Sequence, residues 1–150
     1  MTKYRSILAF VFAIVAVFLI GLGNPAAAKP VKKLTYTAAQ ISDIQGYASE
    51  LTAMRDRLPE LAELIQNKDW TFVRNFIHGP LGEIRVKLSQ VTRNLLPDTQ
   101  KKAREIAKDI ADDLVDLDQA AAASDYKLAV RYYGEATQDL DAFFALIPQG

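Results

Sequence analysis

The sequence contains no cysteine, which excludes disulfide bonds, cysteine-ligated metals, thiol catalysis and covalent c-type haem. Histidine occurs once, at His78, so a metal or catalytic site that needs two imidazoles is also impossible. Neither sign of charge is in excess, because 18 basic residues balance 18 acidic residues. A dedicated nucleic-acid-binding protein would be basic, and we therefore expect no nucleic-acid partner. These absences disfavour most enzyme classes, and we predict that the protein is not an enzyme.

The first 28 residues form a predicted signal peptide in a chain of 150 residues. Two basic residues precede an unbroken apolar run from Ile7 to Ile20, and a row of small alanines ends at Ala28. We expect cleavage after Ala28. The alternative is a retained leader that anchors the chain, since the apolar stretch approaches the length of a membrane span. An extended basic segment, residues 29–36, is then expected to precede the folded domain, residues 37–150.

Apolar residues recur every three or four positions from Thr37 onward, which predicts helices, and no stretch alternates with the period of a strand. Thr37 and Gln40 form a predicted capping box, and Asp69, Pro97 and Asp125 mark three further helix starts. Connections this short place neighbouring helices antiparallel. The predicted fold is all-α, an up-down-up-down antiparallel four-helix bundle. Its predicted core residues are Ile41, Ile44, Ala48, Leu51, Met54, Leu58, Leu61 and Ile65; Val73, Ile77, Ile84, Leu88, Val91 and Leu95; Ala103, Ile106, Ala107, Ile110, Leu114 and Leu117; and Leu128, Tyr132, Ala136, Leu140, Phe143 and Ile147.

Two prolines fall inside the predicted helices, Pro59 in the first and Pro80 in the second. Proline removes a helix hydrogen bond, but the apolar spacing continues across both positions, so we expect kinks rather than chain reversals. Gly79 and Gly82 flank Pro80 and loosen the second helix further. We expect His78, next to this site, to be partly buried and bonded to a backbone carbonyl that Pro80 leaves free.

Two arrangements offer weak signals for ligands. Met54 and His78 would supply axial ligands to a haem, but methionine on a core stripe is commonly a filler. An acidic helix face is a possible incidental site for a divalent cation, although no calcium-loop glycine or closing glutamate accompanies it. We therefore predict no catalytic residue, no cofactor and no metal. The acidic face consists of Asp109, Asp112, Asp113 and Asp116.

Charge is distributed unevenly along the chain. Residues 29–108 carry 14 basic and 9 acidic residues, whereas residues 109–150 carry 2 basic and 9 acidic residues. The electric field of such an uneven charge distribution can orient a protein on a charged partner. Arginine can also form bidentate pairs with carboxylates at polar interfaces. The alternative is a solvated helix face. The predicted partner-binding surface consists of Arg74, His78, Pro80, Arg85, Lys87, Arg93, Lys101, Lys102 and Arg104.

Three segments resemble the PsbQ family, and within it the cyanobacterial form. They are Phe76–Gly82 (FIHGPLG), Leu95–Pro97 and the closing Asp141–Pro148. The resemblance implies a non-catalytic extrinsic subunit of photosystem II that stabilises the oxygen-evolving complex by protein–protein contacts. It would lie in the thylakoid lumen, peripheral to the thylakoid membrane, with PsbO and a core antenna subunit as partners.

One feature departs from the resemblance. Cyanobacterial members commonly carry a lipid-anchored cysteine after the leader, and this chain has none. Attachment would then rest on protein contacts or on a retained leader. Two alternatives stay open, an assembly factor for photosystem II precursors and, more remotely, an exported haem-binding bundle. We expect the free protein to be monomeric.

Overall fold

The computed structural model describes residues 34–149, and the predicted signal peptide and most of the extended segment lie outside this range. The described residues form six α-helices and no strand, which confirms the all-helical prediction. No helix within this range combines the length and apolarity needed to cross a bilayer. The helices are α1 (Ala38–Asp56), α2 (Leu58–Gln66), α3 (Trp70–His78), α4 (Ile84–Asn94), α5 (Pro97–Ala122) and α6 (Tyr126–Phe144).

Helix starts follow the local sequence signals closely. The Gln40 amide donates to Thr37 Oγ1 at 3.2 Å, and the Thr37 amide donates to Gln40 Oε1 at 2.9 Å, so the capping box is confirmed. The Leu128 amide donates to Asp125 Oδ1 at the start of α6. Asp69 occupies the cap position of α3, but its side chain makes no capping bond. Its ψ of 66° differs from the extended conformation that directs a capping side chain toward the first turn.

The two prolines interrupt the helices to different extents. Pro59 stands at the second position of α2, where a missing N–H costs nothing, and only Arg57 separates α1 from α2. Around Pro80 the interruption is longer than the predicted kink, because residues 79–83 form a non-helical turn. This turn requires a glycine at position 82, where a Cβ would lie 2.5 Å from the His78 carbonyl oxygen.

Helix α5 runs in the opposite direction to α3 and α4. Contacts of α3 and α4 with α5 pair Arg74 with Asp118 and Arg85 with Ala111, so residue numbers fall along one helix as they rise along the other. The same holds between α1 and α4, and at their end the Leu96 amide donates to the Tyr36 hydroxyl. The pairing of α5 with α6 is the most extensive in the described chain.

A single hydrophobic core joins all six helices. Most predicted core residues are buried, whereas Ile41, Met54, Ile106, Ala107, Leu128 and Tyr132 are only partly buried. Residues outside the predicted stripes join the core as well, because the turn after α3 and the close pairing of α5 with α6 bury them. These residues are Phe76, Leu81, Ala111, Ala120, Ala121 and Ala129.

Candidate functional site

An open groove of about 610 Å³ lies between α4 and α5 on the surface of the bundle. Three arginines line it, Arg85 and Arg93 from α4 and Arg104 from α5, and Lys108 follows Arg104 one turn later. Asp112 is the acidic residue of its lining. We refer to this feature as the basic groove. Its lining consists of Arg85, Ser89, Thr92, Arg93, Arg104, Ala107, Lys108, Ala111 and Asp112.

The three arginines of the basic groove have no carboxylate partner within residues 34–149. Arg85 Nη2 donates to the Ala111 carbonyl at 3.2 Å, and Arg104 Nη2 donates to Gln100 Oε1 at 2.6 Å. Lys108 differs, because its bond to Asp112 at 2.5 Å raises the pKa of the ammonium group above its usual value. The guanidinium groups therefore keep donors free for an external anion.

Thr92 lies in the wall of the basic groove and is only 3% exposed. Its hydroxyl oxygen has no hydrogen-bonding partner among the described residues. A helical threonine ordinarily bonds the carbonyl four positions earlier, and a buried hydroxyl without a partner costs free energy. Thr92 therefore stands out as an unused polar group beside three unpaired cations.

A second groove of about 410 Å³ continues from the basic groove and shares Arg85 and Ala111 with it. Its walls are largely apolar, and Val115 on α5 remains 44% exposed. We refer to this feature as the apolar groove. Its apolar lining includes Ile77, Leu81, Ile84, Leu114 and Val115.

Asp118 closes the far end of the apolar groove and holds two predicted surface residues. Arg74 Nε donates to Asp118 Oδ1 at 3.0 Å, and His78 Nε2 lies at the same distance from that oxygen. Burial raises the pKa of Asp118, but the two bonds outweigh it and hold this pKa below its usual value.

The prediction that His78 is partly buried is wrong, since its side chain is 66% exposed. It does not bond a freed carbonyl either. The turn satisfies its own backbone, with the Gly79 amide donating to Asn75 O and the Leu81 amide donating to Phe76 O. His78 is thereby left free to bond Asp118.

The remaining predicted surface residues lie away from the basic groove. Lys87 contacts Glu50 on α1 and is only 14% exposed, and the hydrogen bond with Glu50 raises the pKa of Lys87 more than desolvation lowers it. Lys101 and Lys102 are exposed near the start of α5, and Pro80 is half-buried in the turn. The structure thus brings Arg85, Arg93 and Arg104 together, places Arg74 and His78 at Asp118, and directs Lys87 elsewhere.

Sequence reasoning missed several residues of the basic groove, among them Lys108 and Thr92. Lys108 had a signal, because Lys101, Arg104 and Lys108 recur at helical spacing on one face of α5. Thr92 had none, since the burial of a threonine hydroxyl depends on what the neighbouring helix places over it. Asp118, which pairs with Arg74, was visible only as one more acidic residue.

In the described part of the chain, neither the acidic face nor the pair Met54 and His78 forms a ligand site. Within residues 34–149, no three acidic or histidine side chains are grouped so as to hold a metal ion. Asp112 pairs with Lys108, whereas Asp113 is partly buried near Asp139 on α6. Met54 packs against the core, while His78 lies at the surface against Asp118.

Comparisons with known proteins give matches over almost the whole chain. The model of the PsbQ family, described as oxygen evolving enhancer protein 3, matches residues 5–148. CyanoQ of Synechocystis sp. (strain ATCC 27184 / PCC 6803 / Kazusa) is 33% identical over 150 residues, which cover 99% of this chain and 99% of that relative. A family match of this extent, with a full-length relative above 30% identity, establishes membership. The chain belongs to the PsbQ family.

Proposed function

We propose that this protein is a non-catalytic extrinsic subunit of photosystem II that stabilises the oxygen-evolving complex by protein–protein contacts. The observation that carries the proposal is the family match over residues 5–148, under the description oxygen evolving enhancer protein 3. The similarity to CyanoQ, which covers 99% of this chain, adds to this support.

The proposed architecture is an up-down-up-down bundle of four rods. We assign α1 with α2 to the first rod and α3 with α4 to the second, while α5 and α6 form one rod each. Support comes from the pairing of each rod with the next, and from the contact of α2 with α6 that closes the ring. The Tyr133 hydroxyl donates to the Leu58 carbonyl between the fourth and first rods. A rigid bundle of this kind offers long helix faces for docking.

The proposed location is the lumenal side of the thylakoid membrane, reached through a signal peptide cleaved after Ala28. Export is supported by the order of features in the leader. Lys3 and Arg5 come first, the apolar run follows, and alanines ending at Ala28 provide the cleavage site. The protein would be peripheral and held by contacts with PsbO and a core antenna subunit. Its free form would be monomeric, because the apolar stripes are used within the chain.

The proposed docking surface is the side of the bundle on which α3 and α4 meet α5. Arg85, Arg93 and Arg104 would make the polar contacts, since they have no carboxylate partner in the described chain. Arg74 and His78 would border them at Asp118. Lys87 would stabilise the fold instead, because it joins α4 to α1 through Glu50.

The proposal is tested by purifying the tagged chain from solubilised thylakoids and identifying the complexes that accompany it. Active photosystem II should co-purify, and removal of the protein should lower oxygen evolution at low calcium and chloride. Recovery only with inactive precursor complexes would assign the protein to assembly instead. Recovery of the chain alone would contradict a role in photosystem II.

The docking surface is tested by charge reversal in two matched double variants. Arg93→Glu with Arg104→Glu should weaken binding to photosystem II at least tenfold, because both arginines face the basic groove. Lys127→Glu with Arg131→Glu makes the same charge change on α6, outside the groove, and should bind as the parent does. Circular dichroism should show equal helicity for both variants. Equal loss of binding in both would indicate a general charge effect and contradict the surface.

A further inference from the structure

We propose that the basic and apolar grooves together bind one extended acidic segment of a partner protein, with its carboxylates on the arginines and its apolar side chain beside Val115. The inference rests on the proposed function in one respect, namely that the chain docks on a protein. It adds the chemistry of the partner segment and its placement along α5.

The charge of the basic groove favours an anion with several oxygen atoms. Arg85, Arg93 and Arg104 present guanidinium groups from two helices, and no carboxylate pairs with them within residues 34–149. Guanidinium donors form a planar fork that matches a carboxylate bidentately. Thr92 supplies a hydroxyl without a hydrogen-bonding partner in the wall of the same groove, which a bound carboxylate can satisfy after a side-chain rotation.

The apolar groove favours a protein segment over a lone anion. It begins at Arg85 and Ala111, where the basic groove ends, and its walls include Leu81, Leu114 and Val115. A free phosphate would leave the exposed Val115 side chain in water, whereas a leucine or phenylalanine next to an acidic residue would cover it. One ligand with an acidic end and an apolar end therefore fits both grooves at once.

The length of the segment follows from the spacing along α5. From Arg104 to Val115 the helix rises about 16 Å, at 1.5 Å per residue. An extended chain covers this distance with about five residues. We therefore expect a segment with two acidic residues at one end and a large apolar residue four or five positions away.

The test is a nuclear magnetic resonance titration of the purified protein with blocked pentapeptides. The probes are Glu-Glu-Ala-Ala-Leu and its reversed sequence, because the direction of the segment is open, and Glu-Glu-Ala-Ala-Ala as the apolar control. Amide shifts should map to residues 85–93 and 104–115. Replacing leucine by alanine in the tighter-binding direction should weaken binding at least threefold.

Two sets of variants separate the groove from general electrostatics. Arg93→Gln with Arg104→Gln should weaken peptide binding at least tenfold, whereas Lys127→Gln with Arg131→Gln should leave it unchanged. Thr92→Val should weaken binding two- to fivefold with the fold retained, and Thr92→Ser should restore it. Peptide binding that ignores Arg93 and Arg104 would overturn the inference.

Two further binding measurements use inorganic phosphate and phosphatidylglycerol vesicles in place of the peptides. Phosphate binding as tight as that of the peptide, with no contribution from leucine, would overturn the protein segment in favour of a simple oxyanion site. Vesicle binding that depends on Arg93 and Arg104 would overturn it in favour of a lipid surface. Photosystem II binding is measured separately. If that binding survives the loss of both arginines and no peptide binds, the inference alone fails; if photosystem II never binds, the proposed function fails.

Discussion

Helix α5 presents two unlike sides to its neighbours. Toward α4 it forms the basic groove, where Arg104 and Lys108 lie across open space from Arg85 and Arg93. Toward α6 it makes the most extensive pairing of the described chain, and the small side chains buried on both helices suit a close approach of the two backbones. Buried small residues on the two helices include Ala103 and Ala120 on α5, and Ala129 and Ala136 on α6.

The side of α5 toward α6 also gathers negative charge, which we call the acidic seam. Burial, and then the charges of nearby carboxylates, raise the pKa of Asp113 from 3.8 to about 6. Asp139 on α6 also has a raised pKa, first from burial and then from its acidic neighbours. The acidic seam consists of Asp109, Asp113, Asp116, Glu135 and Asp139.

The acidic seam and the basic groove differ in how far their like charges are exposed to solvent. In the acidic seam Asp113, Asp116 and Asp139 are partly buried, so water screens the repulsion among the carboxylates less completely and the folded state loses stability. In the basic groove the arginines remain in water, where like charges are screened and cost little. Of these two regions, the acidic seam therefore holds like charges that are partly buried, whereas the basic groove presents like charges that are open to a partner.

The largest expected difference is between larger side chains at the α5–α6 interface and larger side chains in the basic groove. Ala129→Leu places extra methylene groups into a fully buried position on α6 and should lower the free energy of unfolding by about 3 kcal/mol. Ala107→Leu extends into the basic groove instead and should change it by less than about 0.5 kcal/mol. Chemical denaturation measures both values. Equal losses in the two variants would show that the groove is closed in solution.

A glycine substitution should reveal how the turn after α3 supports the groove side. Gly82→Ala places a Cβ against the His78 carbonyl, and we expect a loss of about 1–2 kcal/mol in the free energy of unfolding. Gly46→Ala in α1 meets no atom within 4 Å and should stabilise the protein by about 0.5–1 kcal/mol. Thermal unfolding of the pair checks the prediction. A neutral Gly82→Ala would mean that the turn relaxes without cost.

Stability should depend on pH through Asp113 of the acidic seam. Because the folded state raises the pKa of this group from 3.8 to about 6, it holds the proton more tightly than the unfolded state does. The resulting stabilisation is full below about pH 4 and is lost as the pH rises toward 6. After allowance for solvent screening, Asp113→Asn should stabilise the protein at pH 7.5 by about 1 kcal/mol.

The matched control for this prediction is Asp112→Asn, which removes the same charge from the groove side of α5. Asp112 pairs with Lys108, so its loss should slightly destabilise the protein or leave it unchanged. Denaturation curves at pH 4.5 and 7.5 compare the two variants. Identical behaviour of both would mean that net charge, rather than the acidic seam, governs stability.

The smallest expected effect concerns Asp118 beside the apolar groove. Asp118→Asn removes the ion pair with Arg74 and alters the hydrogen bond with His78, and should cost about 0.5 kcal/mol at pH 7 because both partners are well exposed. The folded state lowers the pKa of Asp118, so this contribution is present above the ordinary pKa and is lost as the pH falls through the lowered one. Denaturation at pH 7 and pH 3 measures it. A difference that persists undiminished at pH 3 would contradict the ion-pair origin.

Most of the fold was predictable because its signals are local. The capping residues Thr37 and Asp125, the start at Pro97 and the apolar stripes each depend on residues a few positions apart. The extent of the break around Pro80 was not predictable. The length of this break depends on hydrogen bonds such as that from the Leu81 amide to the Phe76 carbonyl, which form only where the chain is no longer helical.

The candidate site was predictable only in part, as three residues at the basic groove illustrate. Arg85, Arg93 and Arg104 were expected from charge and helical position, and the structure brings them together. Lys87 has the same chemistry and lies between the first two in sequence, yet it points toward α1. A helix turns by about 100° per residue, so Arg85 and Lys87 face different neighbours.

The sequence by itself determined that the described chain is helical, where most helices begin and which stripes are buried, because these properties come from neighbouring residues and a period of 3.6. Only the tertiary structure decided which charges are neutralised by residues distant in sequence and which remain for a partner. Arg74 and Asp118 are 44 positions apart, and no local rule connects them. The free arginines of the basic groove are defined by what the packing of α4 on α5 leaves unpaired.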